Sequence, residues 1–290
     1  MNLTSPSQVK AWCLENGFHP NKVLGQNFLI DRNALDAIID AAEFPEDRQA
    51  DVLEIGPGLG VLTEGMLGRG CRVTAVEKDP VLAERLPDAL GRPDGLVVVP
   101  GDALDLLAAG GCRGFTFMVS NLPYQAGTRI LLEIVKGVSP SSETPETRPP
   151  ETMVVLVQTE VAERLAAGPC SKTRSLAGVW AQLDYDVSIV RKVAASCFWP
   201  RPDVGSSIVK MVRHHRCDAL APEVREKFHR LSKLAFEHRR KQMGAIFKGH
   251  PIAPGAFDME AAREGRAIPL SSARPEEMSN AEWIAFASRA

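Results

Sequence analysis

Three short motifs in the first half of the sequence place glycines and carboxylates directly after apolar runs. In Glu54-Ile-Gly-Pro-Gly-Leu-Gly60, Gly56 and Gly58 lack the Cβ atoms that would keep a ligand away from the main chain. Glu77 ends the next apolar run, where an acid of a nucleoside-binding sheet accepts hydrogen bonds from both ribose hydroxyls. Asp102-Ala103 follows the third run, and Asp102 can accept a hydrogen bond from the exocyclic amine of adenine.

Each of these motifs also has a purely structural explanation. The glycines can form a tight turn without a ligand, Glu77 can help Asp79 to cap a helix that begins at Pro80, and Asp102 can cap the helix after it. Together the motifs favour an adenosine that carries an amino-acid tail. The third glycine comes one residue earlier than in the GxGxxG fingerprint for pyrophosphate. We therefore expect S-adenosylmethionine, and not NAD, as the cofactor.

The most specific motif is Asn121-Leu122-Pro123-Tyr124, at the end of the fourth apolar run. The exocyclic amine of adenine is a poor nucleophile because its lone pair is delocalised into the ring. The side-chain carbonyl of Asn121 and the main-chain carbonyl of Leu122 can accept its hydrogens and aim its lone pair at a methyl donor, by orientation and electrostatics. Tyr124 offers a flat face to a base swung out of its stack. The alternative is a strand-ending turn with a buried tyrosine.

The apolar pattern indicates how the chain positions these motifs. Continuous apolar runs alternate with helical periodicity, which is typical of a parallel sheet covered on both faces. The predicted strands are Asp51–Gly56, Arg72–Glu77, Gly95–Pro100, Phe115–Asn121 and Thr152–Gln158. The predicted helices between them are Val61–Arg69, Pro80–Leu90, Leu104–Ala109 and Gly127–Val138. In such a sheet ligands bind at the carboxyl ends of the strands, where all four motifs lie.

The composition is that of an ordinary folded protein. Hydrophobic residues make up 44% and charged residues 24% of the 290 residues, which excludes wholesale disorder. No apolar run approaches the roughly 18 residues of a membrane span. We expect no secretory signal, because the first residues do not show a basic region followed by an apolar one. The six cysteines form no CxxC pair and the histidines no ligand-spaced cluster, so we expect no metal and a reducing cytoplasm.

The charge is unevenly distributed along the chain. The formal net charge is −2, but residues 1–150 carry 13 basic against 20 acidic residues, whereas residues 191–248 carry 14 against 5. Such a basic segment favours a polyanionic partner, and its alternative is a solvated surface without a partner. A Pro/Ser/Thr-rich segment, Ser139–Glu151, is predicted to be a mobile loop within the first domain.

Several segments carry a resemblance to one known family. They are Lys22–Asp31 (KVLGQNFLID), EIGPGLGVLT, VEKD, GDA, NLPY, QTEVAERLAAGP, Phe198–Val204 (FWPRPDV), Ala235–Lys241 (AFEHRRK) and Arg274–Ser279 (RPEEMS). Together they resemble the ribosomal small-subunit RNA adenine N6,N6-dimethyltransferases, and the GQNFL and AFxxRRK segments make the resemblance specific. It implies a class I methyltransferase α/β (Rossmann-like) catalytic domain over residues 1–215, with an N-terminal helical segment 1–45. A small, mainly helical RNA-binding domain is expected over residues 216–290.

The resemblance also implies roles for individual residues. Asn27 and Leu29 line the methionine end of the cofactor, and Phe198 flanks the target base opposite Tyr124. The cofactor-binding residues implied are Gln26, Asn27, Leu29, Gly56, Gly58, Glu77, Asp102, Ala103 and Asn121. The catalytic residues implied are Asn121, Leu122, Pro123, Tyr124 and Phe198. The RNA-binding residues expected are Arg230, Lys233, Arg239, Arg240 and Lys241, with Lys241 continuing the helical face of the first two; solvated charges are the alternative.

The chain departs from the family pattern at four places. Gln125 stands where asparagine is usual, and Asp203 stands where lysine is usual. Residues 173–176 replace a Tyr-Gly-x-Leu-Ser stretch, and segment 139–151 is longer than usual. These differences concern RNA contacts more than cofactor binding.

The activity expected is dimethylation of N6 of two adjacent adenines near the 3′ end of 16S rRNA, within the small ribosomal subunit. The enzyme would be a cytoplasmic monomer that uses S-adenosylmethionine and does not bind a membrane. Two alternatives stay open. A 23S rRNA methyltransferase of the macrolide-resistance type is disfavoured by GQNFL, RRK and the Phe-x-Pro-x-Pro segment. A non-catalytic assembly factor is disfavoured by the intact Asn121–Tyr124 motif.

Overall fold

The structure is a computed structural model that describes residues 1–21, 24–137, 144, 148–253, 255–263 and 266–290. Most of segment 139–151, predicted to be a loop, lies outside the described residues, as do Lys22 and Val23 of the GQNFL region. The described chain forms two compact units. The larger comprises residues 1–137, 144–162 and 186–213, and the smaller comprises residues 163–185 and 214–290, with the gaps just given.

The elements follow one another in chain order. The helices are α1 (Pro6–Glu15), α2 (Arg32–Ala42), α3 (Val61–Leu67), α4 (Pro80–Ala89), α5 (Ala103–Ala108), α6 (Gly127–Lys136), α7 (Thr159–Ala166), α8 (Leu176–Asp184), α9 (Pro222–Glu237), α10 (Met243–Ile246) and α11 (Asn280–Arg289). The strands are β1 (Phe28–Leu29), β2 (Asp51–Ile55), β3 (Arg72–Glu77), β4 (Leu96–Pro100), β5 (Phe117–Asn121), β6 (Thr152–Gln158), β7 (Tyr185–Val193), β8 (Phe198–Trp199), β9 (Ser206–Arg213), β10 (Glu260–Arg263) and β11 (Arg266–Pro269).

The larger unit is built on a seven-stranded sheet in the order β4-β3-β2-β5-β6-β9-β7. Strands β2 to β6 are parallel, as their apolar runs predict, and each begins and ends within two residues of its predicted bounds. Sequence analysis did not assign β7 and β9. Strand β9 pairs antiparallel with β6, so Ser206 at its start lies beside Gln158 at the end of β6.

Burial explains why these runs form the sheet. The side chains of Val52, Leu53, Val154 and Leu156 are fully buried, as expected for strands covered on both faces. Helix α2 packs on β5 and β6. Its N-cap is Asp31, whose carboxylate accepts a hydrogen bond from the main-chain NH of Ala34 (2.8 Å). The helix therefore enters the core in a fixed orientation next to β1.

The described part of the smaller unit is mainly helical and also contains the antiparallel pair of strands β10 and β11. Its interior contains a buried ion pair in which the Arg225 guanidinium donates to both carboxylate oxygens of Asp184 (2.6 and 3.0 Å). The predicted domains, residues 1–215 and 216–290, differ from these units in two respects: residues 163–185 and residues 214–215 pack with the C-terminal part.

Residues 173–176, which replace the usual Tyr-Gly-x-Leu-Ser stretch, have a structural role in the smaller unit. Arg174 is fully buried and donates to the carbonyl of Ala167 (2.8 Å) and to the side chain of Asn280 (2.9 Å). Burial lowers the pKa of Arg174 to about 10. Ser175 caps α8 by accepting from the NH of Gly178 (3.2 Å). The substituted segment thus still anchors the start of α8.

No described helix has both the length and the apolar character needed to cross a lipid bilayer.

Candidate active site

The sheet opens a cleft where β2 and β5 separate. The two strands share a parallel register only from Val52 to Leu53 of β2, and beyond it the NH of Ile55 donates to the hydroxyl of Ser120 (2.9 Å). The order of strands reverses at this point, since β3 and β4 extend to one side and β5 and β6 to the other. Ligands of open α/β sheets bind at such a switch point. The cleft there is lined by all four sequence motifs and by residues 24–29.

The glycine-rich turn after β2 forms the floor of the cleft. Gly56, Gly58 and Gly60 have φ angles of 69°, 60° and 91°, a region that favours glycine. A Cβ atom on Gly58 would lie 3.0 Å from the ring of Phe28. The turn therefore needs glycine for its backbone and for the close approach of the N-terminal segment.

Glu77 is held rigidly at the end of β3. One carboxylate oxygen accepts from the NH of Gly58 (3.0 Å), and the other accepts from the NH of Asp79 (2.9 Å). Burial raises the pKa of Glu77, while these hydrogen bonds oppose the shift. The carboxylate joins two loops of the cleft, and its remaining lone pairs can accept from hydroxyl groups of a ligand.

Asp102 lies half-buried at the end of β4. It caps α5 by accepting from the NH of Leu104 (2.9 Å), and its other oxygen accepts from the ammonium of Lys78 (2.8 Å). These contacts hold the pKa of Asp102 below its ordinary value. Ala103 begins the helix and is buried against the cleft. Asp102 can therefore cap α5 and also accept a hydrogen bond from a ligand amine in the cleft.

The N-terminal segment forms one wall of the cleft. The side chain of Gln26 accepts from the NH of Asn21 (2.6 Å) and donates to Asp79 (2.8 Å), so it fixes the loop over the start of α4. The side chain of Asn27 donates to the carbonyl of Gly25 (3.1 Å). Leu29 is buried in β1, which pairs antiparallel with β8. Gln26 therefore has a structural task in addition to the predicted contact with the cofactor.

Asn121 is the last residue of β5, and its side chain contacts this wall. Its amide NH2 donates to the main-chain carbonyl of Asn27 (3.0 Å), which leaves the side-chain carbonyl as the group that can accept. The NH of Leu122 donates to the carbonyl of Leu156 (3.1 Å). Among the described residues nothing donates to the carbonyl of Leu122. The motif therefore offers two acceptors at one edge of the cleft.

Pro123 and Tyr124 complete the turn that leads into α6. The carbonyl of Pro123 accepts from the NH of Gly127 (2.7 Å), and this bond closes the turn. Tyr124 is half-buried, and its hydroxyl is hydrogen-bonded to that of Ser206 (2.7 Å). Burial raises the pKa of Tyr124, so the phenol stays protonated.

Phe198 is not part of the cleft lining. It pairs with Leu29 in the β1–β8 ladder, is only 2% exposed, and packs in the hydrophobic core with Phe28. Phe198 thus lies in the core directly behind Phe28 and Leu29, two residues that do line the cleft.

The basic residues of the smaller unit are mostly exposed. Arg230 and Lys233 lie on α9, and Arg240 and Lys241 follow it. Arg239 donates to the carbonyl of Lys172 (2.9 Å). The expectation that Lys241 continues the face of α9 is wrong, because the helix ends at Glu237.

Sequence reasoning missed two residues that shape the cleft. Lys78 neutralises Asp102, and its position directly after Glu77 was the signal for it. Ser206 anchors Tyr124, and no local pattern in the sequence indicates that contact. Among the described residues, no group of three His, Cys, Asp or Glu could hold a metal ion.

Comparison with known proteins gives matches along nearly the whole chain. The model of the family described as "Ribosomal RNA adenine dimethylase" matches residues 17–253. The ribosomal RNA small subunit methyltransferase A of Opitutus terrae is 35% identical over 289 residues, 97% of this chain and 97% of that protein.

Two solved structures resemble the chain. A dimethyladenosine transferase from Plasmodium falciparum has a TM-score of 0.69 and 22% identity, and the match covers 88% of this chain and 94% of that one. The 23S rRNA methyltransferase ErmE has a TM-score of 0.63 and 27% identity, and the match covers 91% of this chain and 99% of that one.

Proposed function

The chain belongs to the ribosomal RNA adenine dimethylase family, and from that premise we propose that it dimethylates N6 of two adjacent adenines near the 3′ end of 16S rRNA. Its α/β fold is that of the class I methyltransferases, as the sequence predicts. The observation that carries the proposal is the geometry of Asn121, whose amide is oriented by Asn27 so that its carbonyl is free to accept beside that of Leu122.

The cleft fits S-adenosylmethionine as the methyl donor. The glycine turn provides a surface without Cβ atoms at Gly56 and Gly58, and Glu77 presents a carboxylate already fixed by two main-chain NH groups. Glu77 would hold the ribose hydroxyls, Asp102 the adenine amine, and Asn27 with Leu29 the methionine end. When bound, this cofactor supplies an electrophilic methyl group on a sulfonium sulfur.

The side chains at the end of β5 prepare the substrate amine. The carbonyls of Asn121 and Leu122 accept the two hydrogens of the adenine amine, which pulls the nitrogen towards a tetrahedral geometry. As positive charge develops on the nitrogen, both carbonyl dipoles stabilise it. Pro123 contributes because it has no NH and closes the turn that holds Leu122. No side chain has to abstract a proton before methyl transfer.

Aromatic contacts hold the target base. Tyr124 is half-buried at the cleft and offers one face for stacking. Phe198 would contact the opposite face, and because it is 2% exposed, this contact requires its side chain to leave the core when RNA binds. The basic residues Arg230, Lys233 and Arg239–Lys241 of the smaller unit would bind phosphates, which positions RNA without specifying its sequence. Gln125 and Asp203 are both exposed and could alter these RNA contacts.

We propose the small ribosomal subunit as the substrate, because the relative from Opitutus terrae is named a ribosomal RNA small subunit methyltransferase. We place the reaction in the cytoplasm, with a monomer as the active form. The six free thiols are compatible with that compartment. A 23S rRNA substrate is the second candidate, because the match to ErmE covers 91% of the chain at a TM-score of 0.63.

One experiment separates these substrates. Purified enzyme and methyl-labelled S-adenosylmethionine are incubated with 30S particles that lack the dimethyladenosines, and in parallel with protein-free 23S rRNA. We expect two dimethyladenosines per 30S particle, identified by mass spectrometry, and no label on 23S rRNA. Label on 23S rRNA alone would replace the proposal with the second candidate. If neither the 30S particles nor the 23S rRNA were labelled, the non-catalytic assembly factor would replace both candidates.

A further inference from the structure

Ser206 lies at the active-site edge of the sheet although it belongs to the last part of the larger unit. Strand β9 runs antiparallel to β6, so its first residue pairs with Gln158 at the carboxyl end of β6. That end is adjacent to Asn121, because β5 and β6 are parallel with Asn121 opposite Leu156. The antiparallel strand thus brings a hydroxyl to an edge otherwise formed by carboxyl ends.

Within the described part of the chain, the hydroxyl of Ser206 bonds to one partner. Its Oγ lies 2.7 Å from the phenolic oxygen of Tyr124, and the serine is completely buried. Among the described residues no other group bonds to this hydroxyl. A buried hydroxyl without a partner is unfavourable, so the pair is held together by the desolvation of Ser206 as well as by the hydrogen bond. Tyr124 is thereby fixed at both ends, by its main chain after Pro123 and by its hydroxyl.

We propose that Ser206 is a positioning residue for methyl transfer, which sets the orientation of the Tyr124 ring on which the target adenine stacks. The inference rests on the proposed function, since it presupposes a base at Tyr124. A ring that is already fixed loses little freedom when a base stacks on it, whereas a ring that can rotate must be ordered during binding. Ser206 itself contacts neither the base nor the cofactor.

The chain provides a matched control next to this residue. Ser207 is also completely buried on β9, but its hydroxyl is bonded to that of Thr159 (3.1 Å) and not to Tyr124. Ser206→Ala and Ser207→Ala therefore remove the same group from neighbouring positions of one strand. Only the first change frees the tyrosine.

The test compares Ser206→Ala, Tyr124→Phe, the double variant and Ser207→Ala in methylation of 30S particles. We expect Ser206→Ala and Tyr124→Phe each to lower kcat/KM for the particle about tenfold, and the double variant to be no slower than either. Ser207→Ala should stay within about twofold of the wild type, and Ser206→Thr, which keeps the hydroxyl, should recover most of the rate. The dissociation constant of S-adenosylmethionine, measured by calorimetry, should be unchanged in all variants.

Two results would overturn the proposal: equal rates for Ser206→Ala and Ser207→Ala, or losses of the two single variants that multiply in the double variant. Stability provides a readout that does not need the methylation assay. Tyr124→Phe leaves a buried hydroxyl unpaired, so it should lower the urea midpoint more than the double variant does. A wild type that fails to methylate 30S particles would refute the proposed function, while this stability comparison would still decide whether the two hydroxyls are coupled.

Discussion

Replacing Asn121 by alanine separates cofactor binding from methyl transfer. The side chain has two functions in the structure: its NH2 group donates to the carbonyl of Asn27 (3.0 Å), and its carbonyl is free to accept from the substrate amine. The first contact anchors the N-terminal wall of the cleft. The second would act only when the adenine is in place.

The two losses differ in size. A partly buried hydrogen bond contributes about 0.5–1.5 kcal/mol, so losing the anchor should weaken cofactor binding by about tenfold at most. Loss of a fixed dipole that stabilises charge in a transition state typically costs about 100- to 1000-fold in kcat. Asn121→Ala should therefore lower kcat by that larger factor and change the dissociation constant of S-adenosylmethionine only slightly.

Single-turnover methylation of 30S particles at saturating cofactor, followed by mass spectrometry, measures the first quantity, and calorimetry measures the second. Asn27→Ala is the matched control, because it keeps the main-chain carbonyl that orients Asn121 and removes a side chain that lines the cleft. It should weaken cofactor binding and leave kcat nearly unchanged. A kcat of Asn121→Ala within tenfold of the wild type would refute the assigned role, as would a loss confined to cofactor affinity.

Three further outcomes follow from buried carboxylates. Glu77→Gln should weaken S-adenosylmethionine binding about tenfold or more in calorimetry, because hydrogen bonds to a charged acceptor are stronger than those to an amide. Burial raises the pKa of Glu54 from 4.5 to about 8. Between these pH values the folded protein keeps a proton that the unfolded chain has released. The free energy of unfolding therefore falls as pH rises from 4.5 to about 8. Glu54→Gln should remove this fall, at most about 1.4 kcal/mol per pH unit, in urea titrations from pH 5 to 8. Asp184→Asn leaves Arg225 buried without its counter-charge and should lower the free energy of unfolding by about 3–5 kcal/mol in the same titrations. Asp88→Asn alters an exposed pair and should leave the urea midpoint nearly unchanged.

Much of the catalytic fold could be predicted from local patterns. The five parallel strands appear at their predicted positions because each is a continuous apolar run between polar turns, and burial on both faces requires that pattern. The glycine turn could also be located, since only glycine readily adopts the φ angles of Gly56, Gly58 and Gly60. The order of glycine turn, Glu77 and Asp102 predicted a cofactor that contains adenosine, because each of the three stands directly after an apolar run.

The pairing of β9 and the burial of Phe198 depended on contacts that sequence patterns do not encode. Phe198 belongs to a two-residue strand that pairs with Leu29, so its exposure is set by a segment remote in the chain. Residues 163–185 are a second example. In the sequence they lie between β6 and most of β7, two strands of the larger unit, but they pack with the C-terminal residues in the smaller unit. Local periodicity carries no information about which distant segment will cover an apolar face.

The amino-acid order alone determined which residue types stand at the carboxyl ends of the strands, because strand and turn propensities act over a few neighbouring residues. Only the tertiary structure decided how those side chains are oriented. The carbonyl of Asn27 orients the amide of Asn121, although the two residues are 94 positions apart in the sequence. The hydroxyl of Ser206 holds Tyr124, which is 82 positions away. Hydrogen bonds of this range exist only after the sheet has assembled, since the folded backbone is what brings their donors and acceptors within 3 Å.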